Sequence, residues 1–307
     1  MAQSGAKGAD MTIAQPADST TRATPLMTLT SDEKALLSSW VHGRSPHSTR
    51  AYTANIRRFL AHVEKPLTAV TLADLQGYAD TLAAADLAPA SQARMLAAVK
   101  SLLSFAHTTG YLPFNPGRGL RLPGVRGRLA ERIPSEEDVL SVLAHEPNRR
   151  NHALIRLLYA AGLRLSEACA LRWRDVQPRG NAGQVTVWGK GEKERAVLLT
   201  EGTWRELVAL RPPDAPPDAP VFRSRQGHPL SPTQAWRVVK AAATRAGLES
   251  APAFSPHWLR HAHASHALDR GAPISLVREG LGHASLATTS RYTHARPGDG
   301  SGRYLPI

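Results

Sequence analysis

The stretch SPHWLRHAHASH, residues 255–266, organises the reading of this chain. It belongs to a helical run that continues to residue 271. His257 and Arg260 are spaced i, i+3, so one helix turn presents an imidazole and a guanidinium on a common face. The histidines at 257, 261, 263 and 266 open a rival reading, a metal site. His257 and His261 do share a face at i, i+4. No cysteine is nearby, however, and the glutamate of a zinc-protease helix is absent between them. The extra histidines therefore read as core or surface residues.

On either side of this helix, four further signals share one chemistry. Downstream, LGHASL (281–286) places His283 after Gly282 at a helix end, where a cation on the helix dipole is the plain alternative. Tyr292 follows nine residues after His283, and a tyrosine there ordinarily just packs. Upstream, WGKGEKER (188–195) puts Lys190 in a glycine-flanked hairpin turn, able to reach outward as a point charge or proton donor. An ordinary turn with solvated lysines is the alternative. In AAGLRLSEACAL (160–171), Arg164 falls between two helices, where backbone fixes a planar fork suited to phosphate oxygens. Pairing with Glu167 at the surface is the alternative there.

The tyrosine gains meaning from the cations. A phenol is a poor nucleophile at neutral pH because its pKa is near 10. It attacks phosphorus only if cations stabilise the phenolate and the pentacoordinate phosphorane. Two arginines, a lysine and two histidines supply those groups, and such a set suits phosphoryl transfer without a metal clamp.

The rest of the chain frames this set. Its 307 residues suffice for two domains, each with a core. Lys plus Arg number 38 against 25 Asp plus Glu, a net charge of +13 that favours polyanions such as nucleic acid. No apolar run approaches a membrane span. The one cysteine, Cys169, excludes an intrachain disulfide and fits a cytoplasmic protein. Residues 1–28 carry no secretory signal and read as a disordered tail. Residues 29–120 read as a small helical domain. Within it Tyr52, Ile56, Phe59 and Val63 form one helix face, and Met95, Val99, Leu102 and Ala106 another. Arg50, Arg57 and Arg58 lie opposite the first stripe. Residues 121–133 read as a basic linker, within a stretch from 118 that holds five arginines, among them Arg121, Arg126 and Arg128. It is either a solvated connector or a strap along phosphates. Residues 134–296 read as a mainly helical domain with one hairpin over 184–199.

The order Arg, Lys, His-x-x-Arg, His, Tyr, carried by AGLRLSE, GKGEKER, SPHWLRH, LGHASLATT and RYTH, resembles the tyrosine recombinase (phage integrase) family, most closely its Xer-type (XerC- and XerD-like) members. STRAYTANIRRFL likewise resembles the family's core-binding domain. The resemblance covers about residues 30–294. It implies a SAM-like four-helix core-binding domain and a mixed, mainly α catalytic domain with a small antiparallel β-sheet, the two forming a C-shaped DNA clamp. It further implies that Tyr292 forms a 3′-phosphotyrosyl bond, Arg164 and Arg260 hold the scissile phosphate, and Lys190 protonates the leaving oxygen. His257 exchanges a proton near the tyrosine, His283 bonds the phosphate, and Glu167 braces Arg164. DNA contacts fall to Arg50, Arg57, Arg58, Arg121, Arg126 and Arg128. No metal or other cofactor is expected. The implied partners are double-stranded DNA, a homo- or heterotetramer on two sites, a paralogous recombinase and a DNA translocase. The implied setting is the nucleoid, in chromosome dimer resolution or mobile-element integration through a Holliday junction.

One departure concerns the end of the chain. Xer-type proteins place a helix after the tyrosine, whereas residues 297–307 hold Pro297, Gly298, Gly300 and Gly302 before an apolar RYLPI. The expectation is that this tail docks on a neighbouring subunit, so that deleting residues 300–307 weakens synapsis more than DNA binding. Alternatives to recombination are a type IB topoisomerase or hairpin telomere resolvase, and a catalytically silent DNA-binding accessory factor.

Overall fold

The computed structural model describes residues 29–124, 129–189 and 194–293. The expectations for the tail at 1–28, for Arg126, Arg128 and Lys190, and for the C-terminal segment 297–307 lie outside them. The chain divides into two units, 1–126 and 127–307.

The first unit packs four helices, α1 (Ser31–Val41), α2 (Pro46–Val63), α3 (Leu72–Ala84) and α4 (Pro89–Thr108). Their starts are written in side chains. Thr30 and Thr71 form capping boxes with Glu33 and Asp74, and Ser45 caps α2 ahead of Pro46. Ile56 and Phe59 are buried, as are all four residues of the stripe on α4; Tyr52 and Val63 flank the core half-exposed, and Leu60 takes an inward place beside them. Glu33 is fully buried, accepting from the backbone N–H groups of Thr30 (3.0 Å) and Leu67 (2.8 Å). It ties the head of α1 to the turn after α2 while both its carboxyl oxygens are hydrogen-bonded.

The second unit is built around α6 (Arg149–Ala160), whose Leu154, Ile155, Leu157 and Leu158 are fully buried. Against it pack α5 (Glu136–Ala144), α8 (Glu201–Val208), α9 (Pro232–Arg245) and α10 (Pro256–Asp269). The short α7 (Leu165–Ala170) precedes an antiparallel sheet in the order β1 (Val176–Arg179), β2 (Ala182–Trp188), β3 (Glu194–Leu199). Val185 pairs with Val176 on one side and Val197 on the other, and this inward valine row sets the register. Helices α11 (Ile274–Leu281) and α12 (Leu286–Thr293) complete the unit.

Three details differ from the sequence reading. The hairpin carries a third strand, β1, that the sequence reading did not include. Residues 286–293 form a helix that went unread. At the edges of the basic linker, Leu120 and Ile133 are buried, one in the core of each unit.

Candidate active site

Arg164 caps α7 from an extended backbone (φ −69°, ψ 148°). Gly162, two residues earlier, has φ +58°, and a Cβ on it would lie 2.6 Å from the His263 ring. Only glycine allows α6 to end so sharply and deliver Arg164 to the next helix. The Arg164 guanidinium donates to Glu167 Oε1 (2.7 Å) and to the Gly282 carbonyl (3.3 Å), and its backbone N–H donates to Glu167 Oε2 (2.8 Å).

Glu167 is buried and serves a second guanidinium. Arg195, on β3, donates to both its oxygens at 3.0 and 2.7 Å. Burial pushes the Glu167 carboxyl pKa up, but Arg195 and Arg164 outweigh it and the net shift is downward, so the group is ionised at neutral pH. Arg195 also donates to the Gly280 carbonyl (2.9 Å). Arg260 on α10 is buried and donates to the carbonyls of Gly162 and Leu281, both at 2.5 Å. Its pKa is lowered to about 10, first by burial and then by Arg164, which leaves it charged at neutral pH.

The carbonyls of Gly280, Leu281 and Gly282 thus receive three different arginines. These are the free carbonyls at the end of α11, the negative pole of its dipole. Gly282 closes the helix in the left-handed region (φ +64°), and His283 follows directly. His283 is no dipole-stabilised cation: burial, then Arg260, Arg164 and Arg195, push its pKa down to about 4. Its Nδ1 lies 2.9 Å from Thr289 Oγ1, and its ring stacks on Tyr292 at 6.4 Å between centroids.

Tyr292 is buried on α12, and burial raises its pKa despite Arg260 and Arg291. Its hydroxyl lies 2.7 Å from His261 Nδ1. The sequence reading put His257 beside the tyrosine. His257 sits one turn earlier on α10, its ring 6.5 Å from that of His261, and the observed contact belongs to His261. The remaining histidines are structural: His263 Nδ1 donates to the Tyr159 carbonyl (2.8 Å), and His266 is bonded to the Tyr159 hydroxyl (2.9 Å). Among the described residues no three His, Cys, Asp or Glu side chains converge closely enough to hold a metal ion.

The fold therefore gathers Arg164, Glu167, Arg260, His283 and Tyr292, with His257 at the margin. Arg50, Arg57 and Arg58 lie exposed on α2 of the other unit, and Arg121 is exposed at its end. Two residues of the cluster went unread. Arg195 had a signal, since it shares the inward face of β3 with Val197 and Leu199, where a charge needs a buried partner. His261 had none, because only the packing of α12 on α10 brings it to the tyrosine.

Residues 135–298 match the phage integrase family and residues 39–110 its N-terminal SAM-like domain. The chain belongs to the phage integrase family and is a tyrosine recombinase, a DNA strand-transferase. Among its relatives is the tyrosine recombinase XerC of Myxococcus xanthus, 36% identical over 278 residues, covering 82% of this chain and 88% of the relative. The XerC of Mycobacterium sp. (strain JLS) is 33% identical over 271 residues, covering 82% of this chain and 89% of the relative. The fold is shared with a lambda integrase(75-356) dimer bound to a COC′ core site (TM-score 0.70, 16% identity, 87% of this chain and 95% of that one). It is also shared with the XerH site-specific recombinase bound to a palindromic difH substrate in a post-cleavage complex (TM-score 0.67, 22% identity, 81% and 76%). Among the described residues no helix is long and apolar enough to cross a membrane.

Proposed function

We propose that the protein cuts and rejoins DNA at a specific site, with Tyr292 as its nucleophile. The observation that carries this reading is that Tyr292 is buried in a site where Arg164 and Arg195 pair with the carboxylate of Glu167 and Arg260 is held on the carbonyls of Gly162 and Leu281. That excess of fixed positive charge favours an anion, and a scissile phosphate is the anion a phenol can attack.

In the proposed step the Tyr292 oxygen bonds to phosphorus, its hydroxyl proton passes to His257, and the bond from phosphorus to the 5′-oxygen breaks. Arg164 and Arg260 hold the non-bridging oxygens. His283, neutral by virtue of its low pKa, donates a hydrogen bond to one of them, and Lys190 protonates the departing 5′-oxygen. Glu167 and Arg195 hold Arg164 in place. The 3′-phosphotyrosine conserves the energy of the broken bond, so rejoining needs neither ATP nor a metal ion. Two double-stranded sites held by four protomers, of one kind or two, would exchange strands through a Holliday junction. Such exchange would serve chromosome dimer resolution or mobile-element integration.

Trapping on nicked suicide substrates tests this reading. Wild type is expected to form a covalent protein–DNA adduct, and Tyr292→Phe to bind the same DNA without forming one. A Phe variant that still forms the adduct would move the nucleophile elsewhere. Relaxation of supercoiled DNA with no site preference would favour a topoisomerase instead.

A further inference from the structure

The second unit holds a cavity of about 310 Å³ that shares no residue with the cleavage site. It lies between the start of α6, the loop over residues 222–230 and α9, with Arg150, Ser224 and Arg225 among its lining. Arg150 reaches it from the first turn of α6. Its guanidinium donates to the Arg223 carbonyl (2.6 Å) and to Asn151 Oδ1 (2.6 and 3.0 Å), which ties the helix to the loop. The loop is also closed on itself. The Ser224 N–H donates to the His228 carbonyl (2.7 Å) and the Gly227 N–H to the Ser224 carbonyl (3.1 Å), with Gly227 at φ +81°. That turn fixes Ser224 and Arg225 at the cavity.

Two features of the cavity call for an anion. Ser224 Oγ is buried and has no hydrogen-bond partner among the described residues, whereas a buried polar atom in a native fold ordinarily has one. The cations are uncompensated as well. Among the described residues no carboxylate pairs with Arg150, Arg223 or Arg225, and Glu146, the carboxylate that acts on Arg150, is paired with Arg245. Burial lowers the pKa of Arg150; Glu146 opposes that shift and Arg225 adds to it, so the two guanidiniums lie within each other's field.

We infer that Arg150, Ser224 and Arg225 form a second phosphate site, which holds a backbone phosphate of the bound duplex other than the one attacked. The inference rests on DNA as the substrate. Guanidinium forks and a hydroxyl are donors from which phosphate oxygens accept. No lining residue is aromatic, so a free nucleotide would find nothing on which to stack its base. A duplex keeps its bases stacked inside and offers phosphate and sugar, and the apolar floor of Leu230 and Val238 suits a deoxyribose. Helix α6 runs from this site to the turn before Arg164, and its 12 residues span about 18 Å. Phosphates of one strand recur about every 3.4 Å of duplex axis, so the two sites take phosphates about five base pairs apart, or on opposite strands.

The test titrates the full chain onto a random-sequence duplex between about 50 and 200 mM salt, as wild type, S224A, R225A and R225K. Arg225 is exposed, so its replacement leaves the fold intact. R225A is expected to reduce the slope of log affinity against log salt by about one, and R225K to keep it. S224A removes no charge and should weaken binding about fivefold with the slope unchanged. The position of the contact is then read on the suicide substrate, with single neutral methylphosphonates stepped outward from the cleaved bond. One of them, away from that bond, should weaken wild type about fivefold or more and R225A no further. A wild-type slope in R225A, or methylphosphonate losses equal in wild type and R225A at every position, would overturn the site. Inorganic phosphate that raises the Tm of wild type but not of R225A, with the DNA slopes equal, would give the cavity to a free anion and overturn the DNA reading. Absence of a wild-type adduct would count against Tyr292 chemistry alone, because the slopes on random duplex still read this site.

Discussion

Glu167 is the residue on which the cationic site depends. It brings two guanidiniums together in a buried setting, and its loss leaves both without their shared anion. Glu167→Gln is expected to destabilise the protein by about 3 kcal/mol in urea unfolding, since removing one partner of a buried pair strands the other. The pH behaviour follows from the direction of its shift. A carboxyl whose folded pKa is depressed adds stability above its ordinary value, 4.5, and loses it as pH falls through the folded one. His261 and His283 act at higher pH. Both are held neutral by the fold, with folded pKa values of about 4 against an ordinary 6.5. An unfolded chain binds those protons first, so stability declines as pH drops from 6.5 toward 4. Wild-type Tm should fall across that window, and the His261→Asn variant should fall less. An equal fall in both would show that His261 is not held neutral.

At the scale of elements, the site is assembled where α6, α10 and α11 end or cross. Three arginines from α7, β3 and α10 meet the C-terminal carbonyls of α11, so the strand and the helices share one anchor. Gly162→Ala tests that anchor. The added Cβ meets both His263 and Leu281 under a left-handed backbone, and about 2 kcal/mol or more of lost stability is expected, with weakened cleavage because Arg164 shifts. Denaturant titration and adduct rates read the two effects. Local signals of this kind were legible in the sequence: the apolar stripes of α2 and α4, the helix end at Gly282, and the spacing of His257 to Arg260. What escaped was either short or non-local. β1 is four residues with Pro178 at its third position, too brief to show alternation. α12 is rich in Ser and Thr, poor helix formers whose helicity comes from packing on α10 and α11. The contact of His261 with Tyr292 spans 31 residues and is made only by that packing. A spacing rule shows which histidine shares a turn with Arg260; it does not show which side chain touches Tyr292.

Across the whole chain, a net charge of +13 and the exposed arginines of α2 favour a polyanion partner. Phosphate neutralisation releases counterions, so affinity should fall by about three orders of magnitude or more between 50 and 200 mM salt if six or more phosphates are engaged. A shallow slope in filter-binding titrations would mean few phosphate contacts. Arg57→Ala and Arg58→Ala should each reduce that slope by about one if they touch the backbone. The chemistry on which the whole reading turns, however, sits at one atom. It is tested most directly by trapping the protein on a suicide substrate, digesting protein and DNA, and locating the residual nucleotide by mass spectrometry. A 3′-phosphodiester on Tyr292 is expected; a nucleotide on any other side chain would contradict Tyr292 as the nucleophile.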